Sequence, residues 1–309
     1  MNPLLAALVQ AGIITQPEAE RINRSLDPDA ARAWAEQQIA LAVQGGLSQQ
    51  QTRLVELVRR GNVTPAALDA FWAAEDARLW AAVRGTFEDV AQENAIALAV
   101  RMGADDAMWN TVNRAVLDWV GDYYTDADAG AFGSIPNLNL TSRTQFAQVF
   151  EQWQRGEIEI GTTAEGLPQL VEALTPVFGP ERSEIVASTE VTRIYTESTR
   201  AAAEQDEFIT HYRFYAVADE RVCEVCGPNH GRVIRKDERG FAMAGGGFGF
   251  PPLHPRCRCN LQLHTEATAQ LPLPPEDRWQ YSQAAHDEYE RNRQAAQRAP
   301  NAARTLLGG

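Results

Sequence analysis

Residues 219–263 read DERVCEVCGPNHGRVIRKDERGFAMAGGGFGFPPLHPRCRCNLQL. All four cysteines of the chain lie in this stretch, and His254 stands three residues before the third of them. The pattern is C-x2-C, then 27 residues, then H-x2-C-x-C. Two ligand pairs joined by a glycine-rich loop are typical of a tetrahedral Zn²⁺ site, because the loop lets the pairs converge. A bound metal would also order a segment that has little apolar surface of its own.

Five donors compete for four positions in such a site. We expect the ligands to be Cys223, Cys226, His254 and Cys257, because both pairs then have x2 spacing. The alternative set replaces His254 with Cys259. A closed set of four ligands leaves no open position for water, so the pattern favours a structural zinc over a catalytic one.

The same residues are also compatible with a metal-free cluster. The cysteines would then be reduced or paired in a disulfide, and His254 would be a loop histidine. Two further histidines, His230 and His264, flank the stretch and are expected to be surface residues rather than ligands.

Arg256 and Arg258 alternate with the cysteines of the second pair and are expected to point outward. Arginine forks suit phosphate groups or an acidic protein face, so these two residues are candidate contacts to DNA or to an acidic partner. Pairing with nearby Asp or Glu side chains is an equally good interpretation.

Charge and composition restrict the function further. The formal net charge of the 309-residue chain is −13, which disfavours a protein that wraps nucleic acid. No apolar run is long enough for a transmembrane helix, and the N-terminal sequence lacks the features of a signal peptide. All the cysteines lie in one cluster, which favours metal binding over a disulfide framework spread through the chain. This distribution is also typical of proteins in a reducing compartment.

The first 70 residues predict short helices joined by tight turns. Glycines that suit helix ends stand at Gly12, Gly46 and Gly61, and each is followed by a capping residue: Thr15, Ser48 and Thr64. We interpret this region as a small helical bundle. A DNA-binding helix-turn-helix is the weaker alternative, since no basic recognition helix is present.

Apolar residues recur at helical spacing over 66–124, with a break expected at Gly103. Residues 125–142 have the composition of a loop, and their acidic residues do not match a calcium-binding pattern. Helices are expected again over 143–180, with Thr141 and Ser142 as a cap and an end near Gly179.

Residues 181–205 predict one more helix, which carries a compact polar set. Glu190 and Arg193 are three residues apart, and Arg193 and Glu197 four apart, so they form helical ion pairs. Such pairs usually lie on a solvated face. The alternative is a buried Glu190 that touches the metal-binding module.

After this helix the pattern changes to the alternation of β-strands. Residues 211–218 predict a strand that leads into the first cysteine pair, and 232–235 and 260–263 predict two more. A proline-rich linker follows His264, then a polar helix over 278–298 and a mobile tail.

The predicted fold is therefore mainly α. A multi-helix body carries a small C-terminal, zinc-stabilised α+β module and a terminal helix. We divide the chain into an N-terminal helical region (1–140), a second helical part (141–205), a Cys/His metal-binding module (206–264) and a linker with the terminal helix and tail (265–309).

Three segments together resemble the phage head-morphogenesis family, the minor capsid proteins similar to protein F of bacteriophage Mu. They are ASTEVTRIYTESTRAAAE in the last long helix, DERVCEVCGPNHGRV at the first cysteine pair, and PPLHPRCRCNLQL at the second. The resemblance covers about residues 140–264. It is specific because all three segments occur together, whereas any one of them alone would be weak. It implies a structural virion component present in few copies, associated with the portal protein, and active in head assembly or in DNA packaging or ejection. It transfers no catalytic residue.

We therefore expect a non-enzymatic minor head protein of the virion, assembled in the host cytoplasm and without membrane contact. The portal protein is its expected partner. Major capsid or scaffold protein and packaged DNA are further candidates. The alternative is a zinc-supported nuclease or toxin with His230 or His254 as general base, although no set of acidic or histidine residues suits a second metal. A zinc-ribbon adaptor for nucleic acid is disfavoured by the acidic body.

Overall fold

The structure is a computed structural model that describes residues 6, 9–12, 15–25, 27–61, 63–103, 105–126, 134–155, 167–217, 222–243 and 247–273. Several predicted features lie outside these residues. They are the segment around 156–161, the Asp219–Arg221 part of the first cysteine motif, the glycines 245 and 246, and the terminal helix with its tail.

The chain divides into two compact units, residues 1–205 and residues 206–309. The predicted mainly helical fold with a small β region near the C-terminus is confirmed. Among the described residues, no helix has the length and apolar character needed to span a membrane.

From residue 16 onward, the described part of the first unit contains seven helices: α1 (Gln16–Ser25), α2 (Pro28–Arg59), α3 (Pro65–Met102), α4 (Asp106–Thr125), α5 (Ile135–Gln154), α6 (Leu167–Phe178) and α7 (Pro180–Glu204). Their starts follow ordinary capping chemistry. Asp27 accepts hydrogen bonds from the first amides of α2, and Asp105 does the same for α4. The predicted break at Gly103 is confirmed, with a φ of 63° between α3 and α4.

Helix α7 lies at the centre of this unit, packed against α2, α3 and α4. Its apolar side chains Val186, Val191 and Ile194 are buried in the same core as Leu47 of α2 and Phe87 of α3. Burial of this kind contributes about 1.5–3 kcal/mol for each large side chain, so the apolar core is the main source of stability here.

The prediction that Gly46 ends a helix is wrong. Helix α2 continues through Gly46 to Arg59, and Ser48 is therefore an interior residue rather than a cap. A Cβ at Gly46 would come within 2.4 Å of Leu79 Cδ1, so the glycine allows α2 and α3 to approach closely. Gly12 and Gly61 do have the positive φ expected of helix ends, and Thr64 caps α3 through the amide of Ala67.

The predicted loop over 125–142 is wrong in its second half, because α5 already begins at Ile135. Ser142 does not cap this helix but is buried inside it. Its hydroxyl donates to the Leu138 carbonyl and accepts from Arg182 of α7. The cap prediction failed because Ser has two roles in helices. It can cap the start of a helix, or it can lie inside the helix and donate to a carbonyl of the preceding turn, and the sequence alone does not distinguish the two.

The second unit contains a three-stranded antiparallel sheet of order β2-β1-β5, with β1 (His211–Tyr215), β2 (Val233–Arg235) and β5 (Asn260–His264). The three predicted strands are therefore found. A two-stranded hairpin, β3 (Phe241–Ala242) and β4 (Phe248–Gly249), and a short helix α8 (Glu266–Ala269) were not predicted.

Only a small apolar core supports this sheet. Phe214 and Phe241 pack edge to face with ring centroids 5.0 Å apart, and Tyr212 packs on Phe250. All four cysteines are also buried in this unit. The cysteine cluster is thus a large part of what the small unit encloses.

Candidate metal centre

The first ligand pair lies on a tight turn that precedes a short 3-10 helix at Gly227–Asn229. The amide of Gly227 donates to the Cys223 carbonyl at 2.8 Å, and the amide of Cys226 donates to Cys223 Sγ at 3.4 Å. The turn directs both sulfurs to the same side and supplies an N–H to one of them. Amide donors of this kind stabilise a thiolate.

The second pair lies on another turn, closed by a hydrogen bond from the Cys257 amide to the His254 carbonyl at 3.2 Å. Arg256 occupies the left-handed backbone region in this turn, with a φ of 61°. A non-glycine residue there costs on the order of 1 kcal/mol, a strain that is kept where surrounding contacts impose it. This conformation brings His254 and Cys257 to the same side of the turn.

The two turns meet around Cys226. His254 Nε2 lies 3.1 Å from Cys223 Sγ and 3.1 Å from Cys226 Sγ, and Cys226 Sγ lies 3.8 Å from Cys257 Sγ. The donor atoms form two groups of three, each with all atoms within 4.8 Å of one another: Cys223, Cys226 and His254, and Cys226, Cys257 and Cys259.

The ring of His254 is fixed by its other nitrogen. Its Nδ1 lies 2.7 Å from the carbonyl oxygen of Pro255. A carbonyl only accepts, so Nδ1 carries the proton and Nε2 is the atom that faces the sulfurs. Histidine ligands of metals are commonly oriented in this way by a hydrogen bond from the second ring nitrogen.

Neighbouring groups shift the pKa values of the four cysteines in opposite directions. Hydrogen bonding from Cys226 lowers the pKa of Cys223 to about 4, and hydrogen bonds with Cys226 and Cys259 lower the pKa of Cys257. Hydrogen bonds with Cys223 and Cys257 raise the pKa of Cys226. Hydrogen bonding from Cys226 opposes a rise at Cys259, but hydrogen bonding with Cys257 and burial outweigh it and raise the pKa of Cys259. Burial lowers the pKa of His254, but its hydrogen bonds to Cys223 and Cys257 outweigh burial and raise that pKa to about 10. A metal that binds here would replace these protons with its own charge.

The residues present fit a zinc ion in donor chemistry, and each group of three donors has its atoms within 4.8 Å, although no set of four described donor atoms lies that close together. Tetrahedral zinc with Zn–S bonds of about 2.3 Å separates two sulfurs by about 3.8 Å, and a sulfur from a nitrogen by about 3.5 Å. The observed distance between Cys226 Sγ and Cys257 Sγ is 3.8 Å. The two distances to His254 Nε2 are somewhat shorter, at 3.1 Å. None of the four cysteines is held in a disulfide.

The flanking residues occupy different environments. Arg256 is exposed and Arg258 is half-buried, and both line a recess of about 20 Å³ next to the cysteines. His230 is half-buried, and its Nδ1 accepts from the Ala216 amide at 3.1 Å. His264 lies on β5, where its Nδ1 is 3.2 Å from Thr268 Oγ1. Neither histidine belongs to the two groups of donor atoms.

Glu190 and Arg193 lie within the first unit. Glu190 is fully buried, and its Oε2 accepts from Tyr124 Oη at 2.9 Å and from Arg193 Nε at 3.2 Å. The expectation of a solvated face is therefore wrong for Glu190. Burial raises the pKa of Glu190, with Arg193 and Tyr124 opposing that shift in part.

Sequence reasoning missed the residues that surround Glu190. Tyr124 supplies its hydrogen bond, and the Arg193 guanidinium stacks 4.9 Å over the Tyr123 ring. Neither tyrosine is assigned a role from the sequence. Two adjacent tyrosines at the end of α4 were the available signal, because a buried Tyr hydroxyl needs a polar partner.

The comparisons with known proteins give one result. Residues 148–262 match the family model described as Phage Mu protein F like protein. No curated protein and no solved structure gives a significant match to the chain. The matched range begins in α5 and ends within β5. It includes α7 with Glu190, strands β1 and β2, and all the Cys and His donors of the cluster.

The resemblance that rested on the α7 segment and the two cysteine motifs is thus confirmed, and residues 148–262 of this chain are similar to the Phage Mu protein F like family.

Proposed function

We propose that this protein is a phage minor head protein with a structural role, located in the virion head. The observation that carries the proposal is the family match over residues 148–262, which contains both the central helix of the first unit and the Cys/His cluster. Head morphogenesis is the role that this family suggests. Association with the portal and action in DNA packaging or ejection are the finer parts of the proposal.

The two units differ in composition, and we assign a different role to each. The first is a helical body with an extensive apolar core, suited to holding a fixed shape. The second is a small module whose arginines Arg256 and Arg258 stand beside the cysteine cluster. We assign partner contact to this module, with an acidic surface of the portal protein as the first choice. Major capsid or scaffold protein and packaged DNA are the other candidate partners.

Zinc is the proposed cofactor, with a structural role. The proposed ligands are Cys223, Cys226, His254 and Cys257, with Cys259 in place of His254 as the alternative. The Nδ1 hydrogen bond to Pro255 supports His254, because it turns Nε2 towards the sulfurs. When bound, zinc would hold the two turns together and compensate the charge of the thiolates.

Substitution distinguishes the two ligand sets. If His254 is the fourth ligand, His254→Ala reduces the zinc content of the purified protein, while Cys259→Ser leaves it at one ion per chain. The reverse result would assign the position to Cys259. Cys226 belongs to both groups of donor atoms, so Cys226→Ser serves as the common positive control.

We propose a structural rather than an enzymatic role for the cluster. The ligand cysteines are buried, and the adjoining recess of about 20 Å³ has room for about one water molecule. A catalytic zinc needs an open position that a substrate can reach. The nuclease or toxin alternative predicts metal-dependent hydrolysis of DNA or RNA, which a direct assay on the full chain would reveal.

The proposal is tested on purified phage particles. Quantitative mass spectrometry should find the protein at a few copies per particle, and cross-linking should join it to the portal protein. Charge-reversal variants Arg256→Glu and Arg258→Glu should weaken the cross-link, with Arg143→Glu on α5 as an exposed arginine control in the other unit. Absence of the protein from intact particles would refute the virion assignment.

A further inference from the structure

Asn229, at the end of the short 3-10 helix that follows the first cysteine pair, connects three segments of the second unit. It is buried, with 2% of its surface exposed. Its Nδ2 donates to the carbonyl of Val225 at 2.8 Å and to the carbonyl of Ala242 in β3 at 3.1 Å. Its Oδ1 accepts from Nη1 of Arg232 at 2.9 Å. Both N–H groups of the side-chain amide are therefore used.

The backbone of Asn229 is bonded to the same turn. Its amide donates to the Cys226 carbonyl at 3.1 Å, and its carbonyl accepts from the Arg232 amide at 3.0 Å, directly before β2. Val225 lies between the two cysteines of the first pair. Asn229 thus holds two consecutive carbonyls of the turn, those of Val225 and Cys226, one through its side chain and one through its backbone.

The bond to the Ala242 carbonyl joins this turn to β3, 13 residues further along the chain. Ala242 pairs with Phe248 in the β3–β4 hairpin. A carbonyl without a donor inside a protein is unfavourable, so the hairpin depends on Asn229 for this bond. The first cysteine turn and the hairpin are therefore linked through one buried side chain.

The partners of Asn229 also fix the orientation of its amide. Both neighbours of Nδ2 are carbonyl oxygens, which only accept, and the neighbour of Oδ1 is a guanidinium, which only donates. A reversed amide would place Oδ1 against the two carbonyls. Aspartate has nearly the same size but no N–H, so at this position it would lose both carbonyl bonds and keep the contact with Arg232.

We propose that Asn229 is a positioning residue of the candidate metal centre, which holds the turn of Cys223 and Cys226 in shape for a metal and couples the order of that turn to the β3–β4 hairpin. Asn229 is not one of the donor residues, so it acts through the turn that carries them. Substitution of a residue that holds metal ligands in place commonly lowers metal affinity by about 10–100-fold. The inference rests on the proposed zinc site.

The experiment measures the zinc affinity of the full chain by competition with a chromophoric chelator under reducing conditions. Asn229→Asp should lower the affinity by about tenfold, because it removes both bonds to the carbonyls. Its added negative charge alone would favour a cation, so a loss of affinity reports the lost hydrogen bonds. Asn260→Asp, the same change at an exposed position on β5, is the matched control and should not weaken zinc binding.

Amide hydrogen exchange of the zinc-saturated proteins gives a second readout. In Asn229→Asp, peptides that contain β3 and β4 should exchange about fivefold faster than in the wild type, because the hairpin loses its bond to the turn. Peptides from β5 should exchange as in the wild type. A residue with only a general stabilising role would instead raise exchange evenly through the second unit, and that result would overturn the proposed coupling.

Near-UV circular dichroism establishes that each variant is folded. If Asn229→Asp fails to fold, Arg232→Met carries the test, since it removes the donor to Oδ1 and should lower zinc affinity by about threefold. Unchanged zinc affinity in a folded Asn229→Asp protein would overturn this inference and leave the proposed cofactor intact. A wild-type protein that binds no zinc would overturn both.

Discussion

The two units of this protein obtain their stability in different ways. The helical unit buries apolar side chains of several helices in one core, with α7 at its centre. The small unit buries a handful of aromatic and aliphatic residues around a sheet, and four of its buried side chains are cysteines. Apolar area stabilises a structure in proportion to its size, so the small unit needs another source of free energy. The cluster of cysteines and His254 is the part of it that can supply one.

The largest expected effect is therefore the unfolding of the small unit alone when metal is removed. Removal of metal with a strong chelator under reducing conditions should unfold the small unit and leave the helical unit intact. Structural zinc contributes on the order of 10 kcal/mol in comparable sites. That is more than the free energy of unfolding expected for a module of this size. Amide hydrogen exchange of the full chain measures this directly, with peptides from 206–273 compared with peptides from α2 and α7. Equal protection of the small unit with and without chelator would contradict the comparison.

The reciprocal perturbation is a cavity in the helical core. Phe87 is fully buried and packs on Tyr124 with ring centroids 4.3 Å apart. Phe87→Ala should destabilise the helical unit by about 3–5 kcal/mol, because it removes a large buried side chain. Chemical denaturation monitored by far-UV circular dichroism gives the magnitude. Zinc content should stay unchanged, and a parallel loss of zinc would show that the two units are not independent in stability.

A smaller effect concerns Glu75, a buried carboxylate in the helical unit. Burial raises its pKa, but ion pairs with Arg53 at 2.6 Å and Arg78 at 2.9 Å outweigh burial, and the pKa is lowered from 4.5. A carboxylate with a lowered pKa stabilises the fold above the unfolded pKa and loses that contribution as pH falls through the folded value. Glu75→Gln should cost about 1–3 kcal/mol at pH 7 and progressively less below about pH 4.5.

Glu190 should show the opposite pH dependence. Burial raises its pKa above 4.5, since Arg193 and Tyr124 offset the desolvation only in part, and its Oε1 has no partner. The folded state then holds its proton more tightly than the unfolded state, so the contribution of Glu190 to stability declines as pH rises above about 4.5. The stability of Glu190→Gln relative to the wild type should therefore increase with pH. Urea denaturation at pH 5 and pH 8 measures it, and a relative stability that falls with pH would contradict the sign.

Much of the fold follows from local sequence patterns. Helix α7 was predicted because its apolar residues recur at helical spacing after Gly179, and β1 because apolar and polar residues alternate from His211. The error at Gly46 has a clear physical reason. The sequence shows a glycine after an apolar run, which suggests a helix end, but the glycine is retained for close contact with Leu79, 33 residues away in the chain. A contact of that kind has no local signal.

The candidate metal centre also has features that the local sequence predicts and features that it does not. The spacing of the cysteines and His254 predicted which donors would converge, and the structure brings all five into two groups that share Cys226. The orientation of the His254 ring depends on the Pro255 carbonyl, a backbone atom that any residue would provide. The buried Arg213 on β1 was missed, because a strand residue with a charged side chain normally predicts an exposed position.

The measurement that tests the account most directly is native mass spectrometry of the full chain, purified without added metal under reducing conditions. We expect one zinc ion per chain, with a mass that shows the loss of protons from the ligand thiols. The zinc should be lost from Cys226→Ser. A metal-free wild-type protein whose small unit is nevertheless folded, with its cysteines reduced, would contradict the claim that the cluster holds this unit together.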